Sequence, residues 1–231
     1  MQPKPNSQTT DIPVTREIAL QAAIYRLGNF EQEIQDAYNI LRKYPHTVTV
    51  FGSARTSEND PSYERARQLG ARLAEAGYTV ITGGGHGIME AANRGAIEAG
   101  GQSIGFNIQL PHEQTLNGYT TDSLSFTHFA PRKIAMTLYA DAYIYFPGGF
   151  GTIDELGEIL TLIETGKTAR VPVLLYGKDF WQRFDEFVTE QLLDNFHTIS
   201  ASDHKIYHIV NNTDQALNLI RAGQKHREPL R

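Results

Sequence analysis

The stretch Pro147-Gly148-Gly149-Phe150-Gly151-Thr152-Ile153-Asp154-Glu155 constrains this chain more than any other. It follows the apolar run AYIYF (142–146), which reads as a buried strand, and precedes an apolar-periodic run, 153–165, which reads as a helix. A glycine-rich turn between strand and helix is where unpaired backbone N–H groups and the helix dipole converge on an anion. Gly148, Gly149 and Gly151 let a phosphate approach the backbone, and Thr152 adds a hydroxyl near the helix start. Glu155 then sets a carboxylate within one turn of that anion site. Such a neighbour is repulsive unless the acid has a task of its own.

The same punctuation recurs along the chain. Predicted strands at 47–51, 78–82, 102–106, 125–129, 142–146 and 171–176 alternate with predicted helices at 61–76, 88–99, 131–140, 153–165, 180–193 and 214–221. Pro131 suits a helix start. Strand and helix alternating in this way predict an α/β fold, a doubly wound and mostly parallel sheet with helices on both faces. Ligands of such sheets sit at the carboxyl ends of the strands, near a switch in strand order. Ahead of the sheet, helical spacing of Ile18, Ala22, Tyr25, Phe30, Ile34, Tyr38 and Leu41 predicts one or two extra helices, broken near Gly28-Asn29. The expected organisation is a disordered tail (1–12), an N-terminal helical segment (13–45), one catalytic domain (46–222) and a polar tail (223–231).

Composition removes several classes of function. The 231 residues include no cysteine, which excludes disulfides, thiolate catalysis and cysteine-ligated metals. A net charge of −5 without a long basic stripe argues against a nucleic-acid partner. No apolar run reaches the roughly 18 residues of a membrane span and no secretory pattern opens the chain, so a soluble cytoplasmic protein is expected. His204 and His208 are four apart but lack an acidic partner motif, and no metal site is expected.

Three predicted strand ends carry glycine or small polar residues: 52–55 (GSAR), 83–87 (GGGHG) and 148–152. One glycine turn serves geometry alone; three on one sheet edge point to a nucleotide or phosphate. The dinucleotide fingerprint requires G-x-G-x-x-G after the first strand, and that strand ends in Gly-Ser-Ala-Arg. Gly166-Lys167-Thr168 resembles the end of a P-loop, but Thr161 stands where the motif needs glycine, and a helix rather than a strand precedes it. NAD and ATP are both disfavoured.

A helical projection separates the acids. With Thr152 at zero, Ile153, Leu156, Ile159, Leu160, Leu162 and Ile163 span an arc from roughly 280° through zero to 100°. Glu155 falls inside it at roughly 300°, whereas Asp154 and Glu158, near roughly 200° and 240°, read as solvated charges. An inward acid in a first turn either acts on a ligand or satisfies N–H groups of its own helix. Arg132-Lys133 opens the preceding predicted helix against its dipole, and Glu155, a substrate phosphate or solvent must offset the pair.

PGGFGTIDE (147–155), with PRK (131–133) upstream and TGGGHGIMEAANRGA (82–96) before that, resembles the LOG ("Lonely Guy") family over roughly residues 47–181. These are cytokinin riboside 5′-monophosphate phosphoribohydrolases, long mislabelled lysine decarboxylases. The resemblance implies a Rossmann-like fold, a homodimer or higher homo-oligomer, and hydrolysis of the N-glycosidic bond of AMP or an N6-modified AMP. It implies a catalytic pair, Arg132 and Glu155, with Glu113, Lys133, Gly149, Phe150, Gly151, Thr152, Ile153, Asp154 and Thr161 binding substrate. The glycine loops add Gly52, Ser53, Gly83, Gly84, Gly85 and Gly148 to the expected substrate contacts. No metal or redox cofactor is expected, and no surroundings for a pyridoxal-phosphate lysine are seen. The chain departs from the plant pattern at Ala54-Arg55, at Met89-Glu90 and in its N-terminal helices. A non-hydrolytic carrier of a nucleotide or of molybdenum cofactor on the same fold is the alternative.

Overall fold

The computed structural model describes residues 15–110, 115–137 and 140–225. Two helices, α1 (Arg16–Leu27) and α2 (Phe30–Leu41), lead into the alternating part. There follow β1 (Thr47–Phe51), α3 (Pro61–Glu75), β2 (Thr79–Thr82), α4 (Ile88–Glu98), β3 (Ser103–Ile108) and β4 (Asp122–Phe126). Next come α5 (Phe129–Thr137), β5 (Ala142–Tyr145), α6 (Phe150–Glu164), β6 (Val173–Tyr176), α7 (Lys178–Phe187), β7 (Tyr207–Val210) and α8 (Thr213–Lys225).

The seven strands form one sheet in the order β4-β3-β2-β1-β5-β6-β7, and every pairing is parallel. Side chains of β5 show why both faces must be covered. Tyr143 and Tyr145 enter one core with residues of α2, α5, α6 and α7, while Ala142, Ile144 and Phe146 enter the other with α3, α4 and α8. Period-two alternation of large apolar groups leaves no face for water. The order reverses between β1 and β5, so the crevice beyond their carboxyl ends is the switch point of the sheet.

The expected fold is the observed one, with shifted boundaries. The helix expected from 153 begins at Phe150, so half of the glycine stretch is already helical. The fourth strand lies at Asp122–Phe126 rather than 125–129, because α5 claims Phe129, and Pro131 sits within its first turn. The helix expected over 180–193 divides into α7 and a π-helical segment, Val188–Asn195. β7 was not anticipated: its four residues, YHIV, are buried only at the ends, as befits a short edge strand. The break between the first two helices falls at Gly28-Asn29, as expected. The segment 1–12 lies outside the described residues, and α8 continues past 222 to Lys225. Among the described residues no helix is long and apolar enough to cross a membrane, and no group of three potential metal ligands occurs.

Candidate active site

A cleft of about 640 Å³ opens at the switch point. The loop after β1 contributes Gly52, Ser53, Ala54 and Arg55, and the start of α6 contributes Gly149, Phe150, Gly151, Thr152 and Glu155. Arg132 comes from α5, and Met89, Ile108, Leu110 and Phe129 supply an apolar wall. Hydrogen bonds fix the β1 loop: Ser53 N–H donates to the carbonyl of Pro147 (3.1 Å) and the Ser53 carbonyl accepts from Ile88 N–H (3.0 Å).

The start of α6 has no side-chain cap. Gly149 is its N-cap and carries no side chain to cap with, and the first intrahelical bond runs from Ile153 N–H to the Gly149 carbonyl (3.1 Å). The N–H groups of residues 150–152 therefore have no intrahelical acceptor. Thr152 is buried, and Phe150 stands 96% exposed at the mouth. Of the six apolar residues in the predicted arc, Leu156, Ile159 and Ile163 are buried and Ile153 is exposed, so the inward face is narrower than the projection. Glu155 borders it, with a side chain 14% exposed.

Glu155 Oε1 accepts from Arg132 Nη1 at 3.2 Å. Arg132, whose side chain is 10% exposed, also donates from Nε to the Phe106 carbonyl at 2.7 Å, which fixes the guanidinium at the end of β3. A glycine at 83 makes room for it: a Cβ there would lie 2.4 Å from Arg132 Nη2. Two effects compete at Glu155. Burial pushes its carboxyl up, Arg132 and Lys133 pull it down, and burial wins, leaving it at about 7. The neighbouring guanidinium thus offsets the cost of burial only in part. Beneath it, the buried Tyr145 donates to the Glu155 carbonyl (3.2 Å) and Trp181 Nε1 donates to the Tyr145 carbonyl (2.9 Å).

The dipole conflict at α5 has an answer the sequence did not disclose. Glu33 of α2 accepts from Thr127 N–H at 2.9 Å and lies 3.4 Å from His128 Nδ1, so a carboxylate faces the amino end of α5. Burial would raise this acid, but the hydrogen bonds from Thr127 and His128 hold it below the usual carboxylate range.

Other expected contacts separate into groups. Gly52, Ser53, Gly149, Phe150, Gly151 and Thr152 line the cleft together with Arg132 and Glu155. Gly148 packs against Thr152, where a Cβ would sit 2.1 Å from its hydroxyl. Gly83, Gly84 and Gly85 are buried, Gly83 against Arg132 and Met89, Gly84 against Leu116 and Gly105, and Gly85 with its carbonyl bonded to Asn117. Lys133 turns to Asp154 (2.9 Å) and Glu158 (3.1 Å); these two acids, expected to be solvated, are its partners, although Asp154 remains 64% exposed. Thr161 is exposed on α6 and donates to the Gly157 carbonyl (2.8 Å), two turns beyond the cleft. Glu113 lies outside the described residues. The apolar wall was missed because Met89, Ile108, Leu110 and Phe129 come from separate elements; the signal available was their common place at the carboxyl edge.

The family model described as "Possible lysine decarboxylase" matches residues 89–220. A cytokinin riboside 5′-monophosphate phosphoribohydrolase of Mycobacterium marinum is 30% identical over 77% of this chain and 94% of its own. The chain belongs to the LOG family. A probable cytokinin riboside 5′-monophosphate phosphoribohydrolase of Oryza sativa is also 30% identical, over 84% of each chain. Among solved structures, the molybdenum cofactor carrier protein of Chlamydomonas reinhardtii superposes with a TM-score of 0.57 and 25% identity, covering 78% of this chain and 98% of that one. The LOG relatives and the carrier share the Rossmann-like frame; what each does with it is a matter of the site.

Proposed function

We propose that the protein hydrolyses the N-glycosidic bond of a nucleoside 5′-monophosphate, AMP or an N6-modified AMP, giving the free base and ribose 5-phosphate. The observation that carries this reading is the buried Arg132–Glu155 pair beside the amino end of α6, which has no side-chain cap. The 5′-phosphate binds the N–H groups of 150–152, and C1′ then faces Glu155. The base lies along Met89, Ile108, Leu110 and Phe129.

The bond from C1′ to the base breaks with its electron pair leaving on the base nitrogen, and positive charge develops on the ribose. Ionised Glu155 stabilises that charge and takes a proton from the water whose oxygen bonds to C1′. The departing base nitrogen takes up a proton from solvent, and Glu155 gives its own back to solvent, so that one water is consumed for each bond broken. Arg132, anchored on Phe106, holds Glu155 in place, and the non-reacting phosphate supplies binding energy that positions the reacting carbon.

Incubation with AMP across the range from about pH 5 to pH 9, with adenine followed by chromatography, tests this. Because Glu155 acts ionised, kcat/KM rises through about pH 7 and then levels off. A fall above that point would make Glu155 the acid that protonates the base instead. Likeness to the Chlamydomonas carrier favours a second reading, in which the cleft holds a ligand without cleaving it. AMP bound tightly with no adenine released would select that one. The decarboxylase description finds no support at Lys133: burial alone would lower its pKa, but Asp154 and Glu158 raise it, which disfavours the neutral amine a Schiff base needs.

A further inference from the structure

We propose that Arg55 is the side chain that reads the 5′-phosphate, so that this family member selects phosphorylated ligands through the loop after β1. The inference rests on the reading of the cleft as a nucleoside monophosphate site. Among the described residues, the charged side chains lining the cleft are Arg55, Arg132 and Glu155. Arg132 is already committed to Glu155 and to the Phe106 carbonyl. Lys133, the neighbouring cation, is turned onto Asp154 and Glu158 and does not line the cleft. Arg55 is exposed and makes no ion pair with any described residue. With Glu155 ionised, the lining carries one net positive charge, and Arg55 is its source.

Placement agrees with charge. β1 and β5 are adjacent parallel strands, so the loops at their carboxyl ends are neighbours, joined by the Ser53–Pro147 hydrogen bond. Arg55 N–H donates to Ser53 Oγ at 3.1 Å, which pins the backbone that carries the guanidinium. A phosphate on the N–H groups of 150–152 therefore lies beside the loop that carries Arg55, in the same cleft. A guanidinium can hold two phosphate oxygens at once, whereas the helix end supplies only partial charge. The sugar then extends away from the β1–β5 crevice toward Glu155, and the base toward the wall on the β3 side. This arrangement keeps the dianion and the carboxylate at opposite ends of the ribose, which lessens the repulsion between them.

Arg55→Ala and Arg55→Lys test the assignment, with affinity for ribose 5-phosphate measured by calorimetry and base release measured from AMP and adenosine. Arg55→Ala weakens ribose 5-phosphate binding by about 10- to 100-fold and raises KM for AMP similarly with little change in kcat. The ratio of kcat/KM for AMP to that for adenosine falls by the same factor, and lysine restores part of it. A structural role for Arg55 would lower both substrates alike and leave the ratio unmoved. Ribose 5-phosphate affinity within about twofold of the wild type, or none in the wild type itself, overturns the assignment. If the wild type binds AMP but releases no adenine, hydrolysis fails as a reading. The loss of ribose 5-phosphate binding in Arg55→Ala then still establishes the phosphate contact.

Discussion

Two glycine-rich loops, 83–87 and 148–152, close parallel strands on the same edge of one sheet, yet they do opposite things. The first is filled with protein. Thr82 Oγ1 accepts from Gly84 N–H (2.9 Å) and donates to Asn93 Oδ1 (2.6 Å), Asn93 Nδ2 donates to Ser103 Oγ (2.6 Å), and Asn117 Nδ2 reaches the Gly85 carbonyl (2.9 Å). Its glycines exist for close approach: Gly87 has φ +65°, and a Cβ there would lie 2.4 Å from the Ser53 carbonyl oxygen. The second loop is open, and a Cβ on Gly149 or Gly151 would meet nothing within 4 Å. Glycine count alone does not tell the two loops apart; what surrounds their backbone does.

The comparison can be broken by substitution. Glu155→Gln, which keeps shape and removes charge beside the open loop, lowers base release from AMP by about a thousandfold while the circular dichroism spectrum stays unchanged. Unaltered turnover would remove Glu155 from the chemistry.

The same acid makes the open side costly. Its folded pKa, about 7, lies above the usual 4.5, so the folded state holds the proton more tightly than the unfolded one. Stability contributed by the protonated form is full below the unfolded value and is lost as pH rises through the folded one. Relative to Glu155→Gln, the wild type therefore loses about 3 kcal/mol between acid and mildly alkaline pH, measurable by denaturation across pH. A difference independent of pH would mean that Glu155 titrates normally.

The two loops then separate by stability. Gly87→Ala destabilises by about 2 kcal/mol, because both backbone angle and space oppose a side chain. Gly151→Ala changes stability by less than about 0.5 kcal/mol, since helix entry at that position suits alanine. Equal midpoint shifts in urea for the two variants would erase the distinction between scaffold and cradle.

Much of this was legible from the residues in order. Runs such as TVTVF and AYIYF identify central strands because a parallel sheet buries both faces, and the helical projection isolates Glu155 because α6 packs one side on the sheet. Legibility ended where a side chain's partner lies far along the chain. Nothing near Glu33 announces Thr127, and nothing in 83–87 says that Asn117 fills it. Lys133 looked available to a substrate until α6 brought Asp154 and Glu158 against it. The edge strand β7 was invisible because half of its residues meet solvent.

Glu33 also redraws where the working unit begins. Helix α1 exposes Ile18, Leu20 and Ile24, whereas α2 buries Ala37 and Leu41 and sends its carboxylate to the end of the helix that bears Arg132. Gly28-Asn29, between the two helices, is where that difference begins. Removal of α1 would leave the Glu33 contacts with Thr127 and His128 in place, whereas removal of α2 would take away the carboxylate that faces the amino end of α5.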